Sequence, residues 1–130
     1  MPTPKNTATY YVLLLTIMLA ATLFFCCYPA LHPEDLLGLK YQLWLDAFFH
    51  GSYFFVLSFT LQKLLQRRLS LLLIAGSMLV LSTGLEFVQM IIPGRSFSGW
   101  DMLANATGIL LAYLLCSLLS LRAFRIKEGR

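Results

Sequence analysis

The sequence predicts an all-α membrane protein, a four-transmembrane-helix bundle with both termini on the cytoplasmic side. Three observations predict it. First, a mean hydropathy of +0.74 with only 12% charged residues over 130 residues is more apolar than a soluble body of this size can hide, because small domains keep much of their surface exposed. Second, four apolar runs occupy residues 10–28, 45–65, 70–92 and 100–121, each near the length that crosses roughly 30 Å of hydrocarbon at helical rise. Third, four crossings gather Lys5, Lys63, Arg67, Arg68, Arg122, Arg125, Lys127 and Arg130 on the side of the N-terminus and leave Lys40 and Arg95 on the other. That bias places the N- and C-termini inside. The length allows one domain, residues 1–130.

Taken in order, residues 1–9 form a short polar lead with Pro2, Pro4 and Lys5. Residues 10–28 follow without a charge, and Pro29 ends the run. The run passes straight through Ala20 and Ala21, so it reads as a retained span and not as a cleaved signal peptide. Residues 30–43 mix His32, Pro33, Glu34, Asp35, Gly38 and Lys40, the breakers and charges of a loop with a short interfacial helix. Tyr41 and Trp44 suit the headgroup level at its end. The second span carries Asp46 and His50 near its start, and Gln66, Arg67 and Arg68 make a tight basic turn after it. The third span runs on to Ile92, where Pro93 and Gly94 stop it. Ser98 is placed to cap the fourth span, and a basic tail follows Leu121.

The cysteines form no disulfide framework. Cys26 and Cys27 are adjacent and Cys116 lies in the last span, so they read as small apolar residues within helices. The net charge of +4 is topological; no recognition motif accompanies it, and nucleic acid is not an expected partner. There is no nucleotide-binding loop, nucleophile elbow or zincin motif, and no cofactor is expected from motifs.

Residues 82–105 concentrate the chemistry. Glu86, Gln89, Arg95, Asp101 and Asn105 lie in or between two apolar runs, where ionisable groups are costly and face inward. The topology puts Asp46 and His50, Glu86 and Gln89, and Asp101 and Asn105 at the same outer layer. His50, Glu86 and Asn105 are each roughly 8–9 Å from a helix end at helical rise. Spacing also fixes their faces, since Asp46–His50, Ser82–Glu86 and Asp101–Asn105 are i, i+4 pairs and Glu86–Gln89 is i, i+3. Ala104, Gly108 and Ala112 form a small-residue stripe beside Asn105 that admits a neighbouring backbone. Each residue also has a plain structural reading: Asp101 completes a capping box with Ser98, Arg95 meets solvent or lipid phosphate, and His50 is an interhelical hydrogen-bonding group.

The ordered set Asp46-x-x-x-His50, Glu86-x-x-Gln89, Pro93-Gly94-Arg95 with Ser98 and Asp101, then Asn105 and Gly108 resembles the VanZ-like family of small bacterial membrane proteins. The match covers residues 46–108. The resemblance implies a multi-pass protein of the bacterial cytoplasmic (inner) membrane and cell envelope, and links it to antibiotic resistance. The family's namesake is associated with low-level resistance to the glycopeptide teicoplanin.

Three readings of the site follow. In the first, an extracytoplasmic site binds or acts on an amphiphilic envelope molecule, a lipid-like ligand such as acylated teicoplanin. Glu86, His50 and Asp101 then supply acid/base or binding groups, Arg95 clamps a phosphate or carboxylate, and Gln89, Asn105 and Asp46 complete the binding set. In the second, the protein is a non-catalytic structural or accessory subunit, and the polar residues form an interhelical network that fixes the bundle or docks another membrane subunit. In the third, Asp46, His50, Glu86 and Asp101 ligate a metal ion, of hard or borderline character given their oxygens. The lipid bilayer is the common partner of all three.

Overall fold

The computed structural model describes residues 4–27, 43–92 and 98–128, and these form four α-helices and no strand. They are α1 (Pro4–Cys27), α2 (Leu43–Leu65), α3 (Leu71–Gln89) and α4 (Gly99–Glu128). Among the described residues two helices, not four, are long and apolar enough to cross a membrane by length and composition: Leu71–Gln89 and Gly99–Arg125. In α2 the expectation fails because Asp46, His50, Gln62 and Lys63 dilute a helix that is otherwise long enough. In α1 the described apolar stretch, Thr9–Thr22, is shorter than a span.

The two apolar helices are not the core of a soluble protein. Only 22% and 28% of their apolar windows are buried, whereas the central helix of a globular domain is covered on most sides. Leu72, Val80 and Ile91 are 69%, 74% and 82% exposed, and apolar surface on that scale calls for lipid or a partner.

Helix ends follow local chemistry. The first helix begins at Pro4, inside the stretch expected to be a polar lead, because proline is compatible with a first helical position. Ser70 caps α3, its side chain accepting from the Leu73 amide at 3.2 Å. That helix ends at Gln89, three residues short of the expected stop. The backbone amides of Met90, Ile91 and Ile92 close it by donating hydrogen bonds to the Phe87, Val88 and Gln89 carbonyls at 3.1–3.2 Å, the tighter i→i−3 pattern of a terminating turn. The coming proline disfavours helical conformation in the residue before it. In contrast, α4 runs past the expected end at 121 to Glu128. Nothing there breaks a helix, and Arg122 and Arg125 toward its C-terminal end complement the helix dipole. The expected loop at 30–43, and Pro93, Gly94 and Arg95, lie outside the described residues apart from Leu43.

The pair α2 and α4 forms the most extensive packing, α3 lies mainly against α4, and α1 packs on α2. The centre of the α2–α4 crossing is Gly51 against Gly108: a Cβ on Gly108 would fall on the Gly51 carbonyl oxygen and 3.0 Å from the Phe55 nitrogen. A Cβ on Gly51 would come 3.1 Å from the Ala104 carbonyl oxygen. Around this crossing Met18, Phe54, Leu57, Met78 and Ile109 make the apolar core. Ala112 and Cys116 are fully covered, as the small-residue reading of α4 requires. The first helix is tied on by Tyr53, whose hydroxyl donates to the Met18 carbonyl at 2.6 Å and meets the Thr22 hydroxyl.

Candidate functional site

The polar residues converge at one end of this core. On α3, Ile74, Met78, Ser82 and Glu86 are the buried residues, a strict i, i+4 row that carries Glu86 inward. On α4, Asp101 and Asn105 are 6% and 1% exposed. On α2, Asp46 is 8% exposed and His50 is partly open. The layer is placed by the α2–α4 crossing, since Gly51 follows His50 and Ala104 precedes Asn105 in sequence.

His50 stands between two carboxylates. Its Nε2 is 3.7 Å from Asp46 Oδ1 and its Nδ1 is 3.8 Å from Glu86 Oε1. Asn105 Nδ2 donates to the same Glu86 Oε1 at 3.4 Å. These three contacts join α2, α3 and α4, and all three are longer than a well-formed hydrogen bond. Ligand atoms of Asp46, His50 and Asp101 all lie within 4.8 Å of one another.

Ser98 caps α4 as expected: its side chain accepts from the Asp101 amide at 3.2 Å, and its carbonyl accepts from the Met102 amide at 3.2 Å. Capping does not consume Asp101, because its Oδ1 is buried without a hydrogen-bond partner among the described residues. Glu86 Oε2 and Asn105 Oδ1 share that condition. Leaving a buried acceptor unsatisfied costs about 1–3 kcal/mol, so three in one layer demand a partner or a ligand.

Five of the seven residues singled out from sequence thus meet: Asp46, His50, Glu86, Asp101 and Asn105. Gln89 is half-buried in the last turn of α3, and Arg95 lies outside the described residues. Sequence reasoning missed Gly51, although Ala47 four residues earlier makes a small-residue pair with it on α2. It also missed an open apolar groove of 610 Å³ on the other face of the α2–α4 pair, with Trp44, Phe48, Phe55, Trp100 and Leu103 among its lining residues. A third omission is Ser58 and Gln62, both fully buried, with Gln62 Nε2 donating to Ser58 Oγ at 2.9 Å. Their i, i+4 spacing was the available signal.

Two apolar helices that turn most of their surface outward, in a structure whose described residues are all helical and gather buried acids at one end, fit a membrane protein. The family model described as VanZ/LLP1 matches residues 8–120, and the chain belongs to that family. The match reaches well beyond residues 46–108 and takes in α1. No curated protein and no solved structure matches the chain.

Proposed function

We propose that this protein is a multi-pass protein of the bacterial cytoplasmic membrane and binds an amphiphilic envelope molecule from the extracytoplasmic side, lowering susceptibility to teicoplanin. The observation that carries the reading is the set of three buried oxygens on Glu86, Asp101 and Asn105 that have no hydrogen-bond partner among the described residues. A closed structural network satisfies its members; this layer leaves acceptors unmet while His50 keeps 21% of its side chain exposed. The head of the ligand belongs there, with Arg95, next after Pro93 and Gly94 in the chain, as a further contact for an anionic group.

The groove on the far face of α2 and α4 serves the apolar part of the ligand. It shares the first turns of those helices with Asp46 and Asp101, and Trp44 and Trp100 on its lining are residues suited to the headgroup level. An acyl chain is the occupant of matching chemistry. The competing reading, an accessory subunit held by an interhelical network, is favoured by the Asn105–Glu86 bond across α3 and α4. The long His50 contacts and the unmet oxygens weigh against that network as the whole role.

Two measurements test this. In a background lacking the native cysteines, Met90→Cys reacts with an impermeant maleimide added outside intact cells and Arg67→Cys does not; the reverse pattern would put the site on the cytoplasmic side. In cells that depend on this protein for teicoplanin tolerance, His50→Ala returns susceptibility to that of cells lacking the gene, with the membrane level of the protein unchanged. Tolerance that survives the substitution would remove the polar layer from the function.

A further inference from the structure

Three acidic side chains make an awkward pocket for an anionic head group, and the layer contains a geometry that resolves this. We propose that Asp46, His50 and Asp101 hold a divalent cation of intermediate hardness, Mn²⁺ or Zn²⁺ in class, with Glu86 as the positioning residue for the imidazole. The proposal rests on reading this layer as a ligand site.

Spacing supports it first. Ligands bound at about 2.0–2.2 Å to one ion lie roughly 3–4.4 Å apart. The Asp46 Oδ1 to His50 Nε2 separation of 3.7 Å falls in that range, and the spread of ligand atoms over all three residues, within 4.8 Å, needs only a small contraction. At 3.7 Å the Asp46–His50 pair is too far apart for a hydrogen bond but well spaced to share an ion.

Burial supports it independently. Asp101 is 6% exposed and its Oδ1 has no hydrogen-bond partner among the described residues, leaving a lone pair available for coordination. The other face of the histidine completes the arrangement. Its Nδ1 points to Glu86 Oε1 at 3.8 Å, and a ligating imidazole commonly gives its second N–H to a carboxylate that fixes its tautomer and orientation. Asn105 Nδ2 donates to the same oxygen at 3.4 Å and holds Glu86 in place. The residues therefore divide into three ligands and a supporting pair.

Two carboxylates and one imidazole suit a hard-to-borderline cation, not the soft ions that thiolates select. Three protein ligands leave coordination positions open. A phosphate or carboxylate head group is the chemistry that fills them, so the cation turns an acidic layer into an anion-binding one.

The test uses the untagged full chain in mild detergent. Elemental analysis after chelator-free purification finds stoichiometric manganese or zinc. After EDTA treatment, added MnCl₂ or ZnCl₂ raises the melting temperature. Asp46→Asn and Asp101→Asn lose the metal, and Glu86→Gln weakens its binding by about 10–100-fold. Wild-type protein without stoichiometric metal and without a melting shift overturns the proposal, as does metal retained equally by both Asp variants. Should Asp101→Asn fail to fold, the wild-type titration and Asp46→Asn still decide. Metal-free protein whose teicoplanin tolerance still depends on His50 would sink the cation alone; metal-loaded protein with no such dependence would sink the envelope reading and spare the cation.

Discussion

Replacing Gly108 with leucine is expected to remove the folded protein from the membrane. The added Cβ would land on the Gly51 carbonyl oxygen and sit 3.0 Å from the Phe55 nitrogen, and both are backbone atoms in the body of α2. No rotamer change relieves such a clash, so the two helices must separate. Forcing extra volume into a packed site costs about 1–3 kcal/mol when side chains can adjust; here they cannot, and the cost exceeds that range. Against a total stability of about 5–15 kcal/mol, and with α2–α4 the most extensive packing in the structure, the bundle does not survive the change. Heating in detergent, followed by helical circular dichroism, checks this: Gly108→Leu shows no cooperative transition near that of the wild type, or does not accumulate. Gly84→Ala is the control, because nothing lies within 4 Å of a Cβ there and alanine is the better helix former by about 0.8–1.0 kcal/mol. Its transition falls at or above the wild-type temperature. A Gly108→Leu protein that melts like wild type would mean the helices do not cross where the glycines place them.

This crossing also marks how far sequence reasoning reached. Ala104, Gly108 and Ala112 announce a close-approach face because they repeat every four residues. Gly51 announces less, since only Ala47 shares its i, i+4 row before Phe55 interrupts it. The polar pairs were legible for the same reason as the stripe: Asp46 with His50, and Asp101 with Asn105, follow helical spacing and stand out in an apolar background. The shared depth of His50, Glu86 and Asn105 made their contact foreseeable; that Asp101 joins Asp46 and His50 was less so, because it depends on how far α4 slides along α2. Helix ends were the weakest part. Proline early in a helix is compatible with its start, so Pro4 opens α1 instead of preceding it; charged residues without a breaker simply extend α4. The groove could not be foreseen at all, since Trp44, Phe48, Trp100 and Leu103 become neighbours only when α2 and α4 pack.

Substitution at Glu86 is expected to separate the site from the scaffold. Glutamine keeps an oxygen to accept from Asn105 Nδ2, now at 3.4 Å, and retains the volume of a side chain that is 2% exposed. It replaces the other oxygen, buried and unpartnered, with an amide donor. Teicoplanin tolerance is therefore lost while the melting temperature of the EDTA-treated variant stays close to that of EDTA-treated wild type. Leucine behaves differently. It leaves Asn105 buried without its acceptor, which costs about 1–3 kcal/mol and lowers the melting temperature. Adding Asn105→Leu to Glu86→Leu removes both halves of the polar pair, and apolar replacement of a whole buried pair is often neutral in stability. The double variant accordingly melts above Glu86→Leu alone and still confers no tolerance. If Glu86→Gln were instead to lose stability and tolerance together, with the double leucine variant recovering both, the carboxylate would serve only to hold helices in place. Its unpartnered oxygen makes the first pattern the expected one, because buried acceptors are ordinarily satisfied and three orphaned ones share this layer.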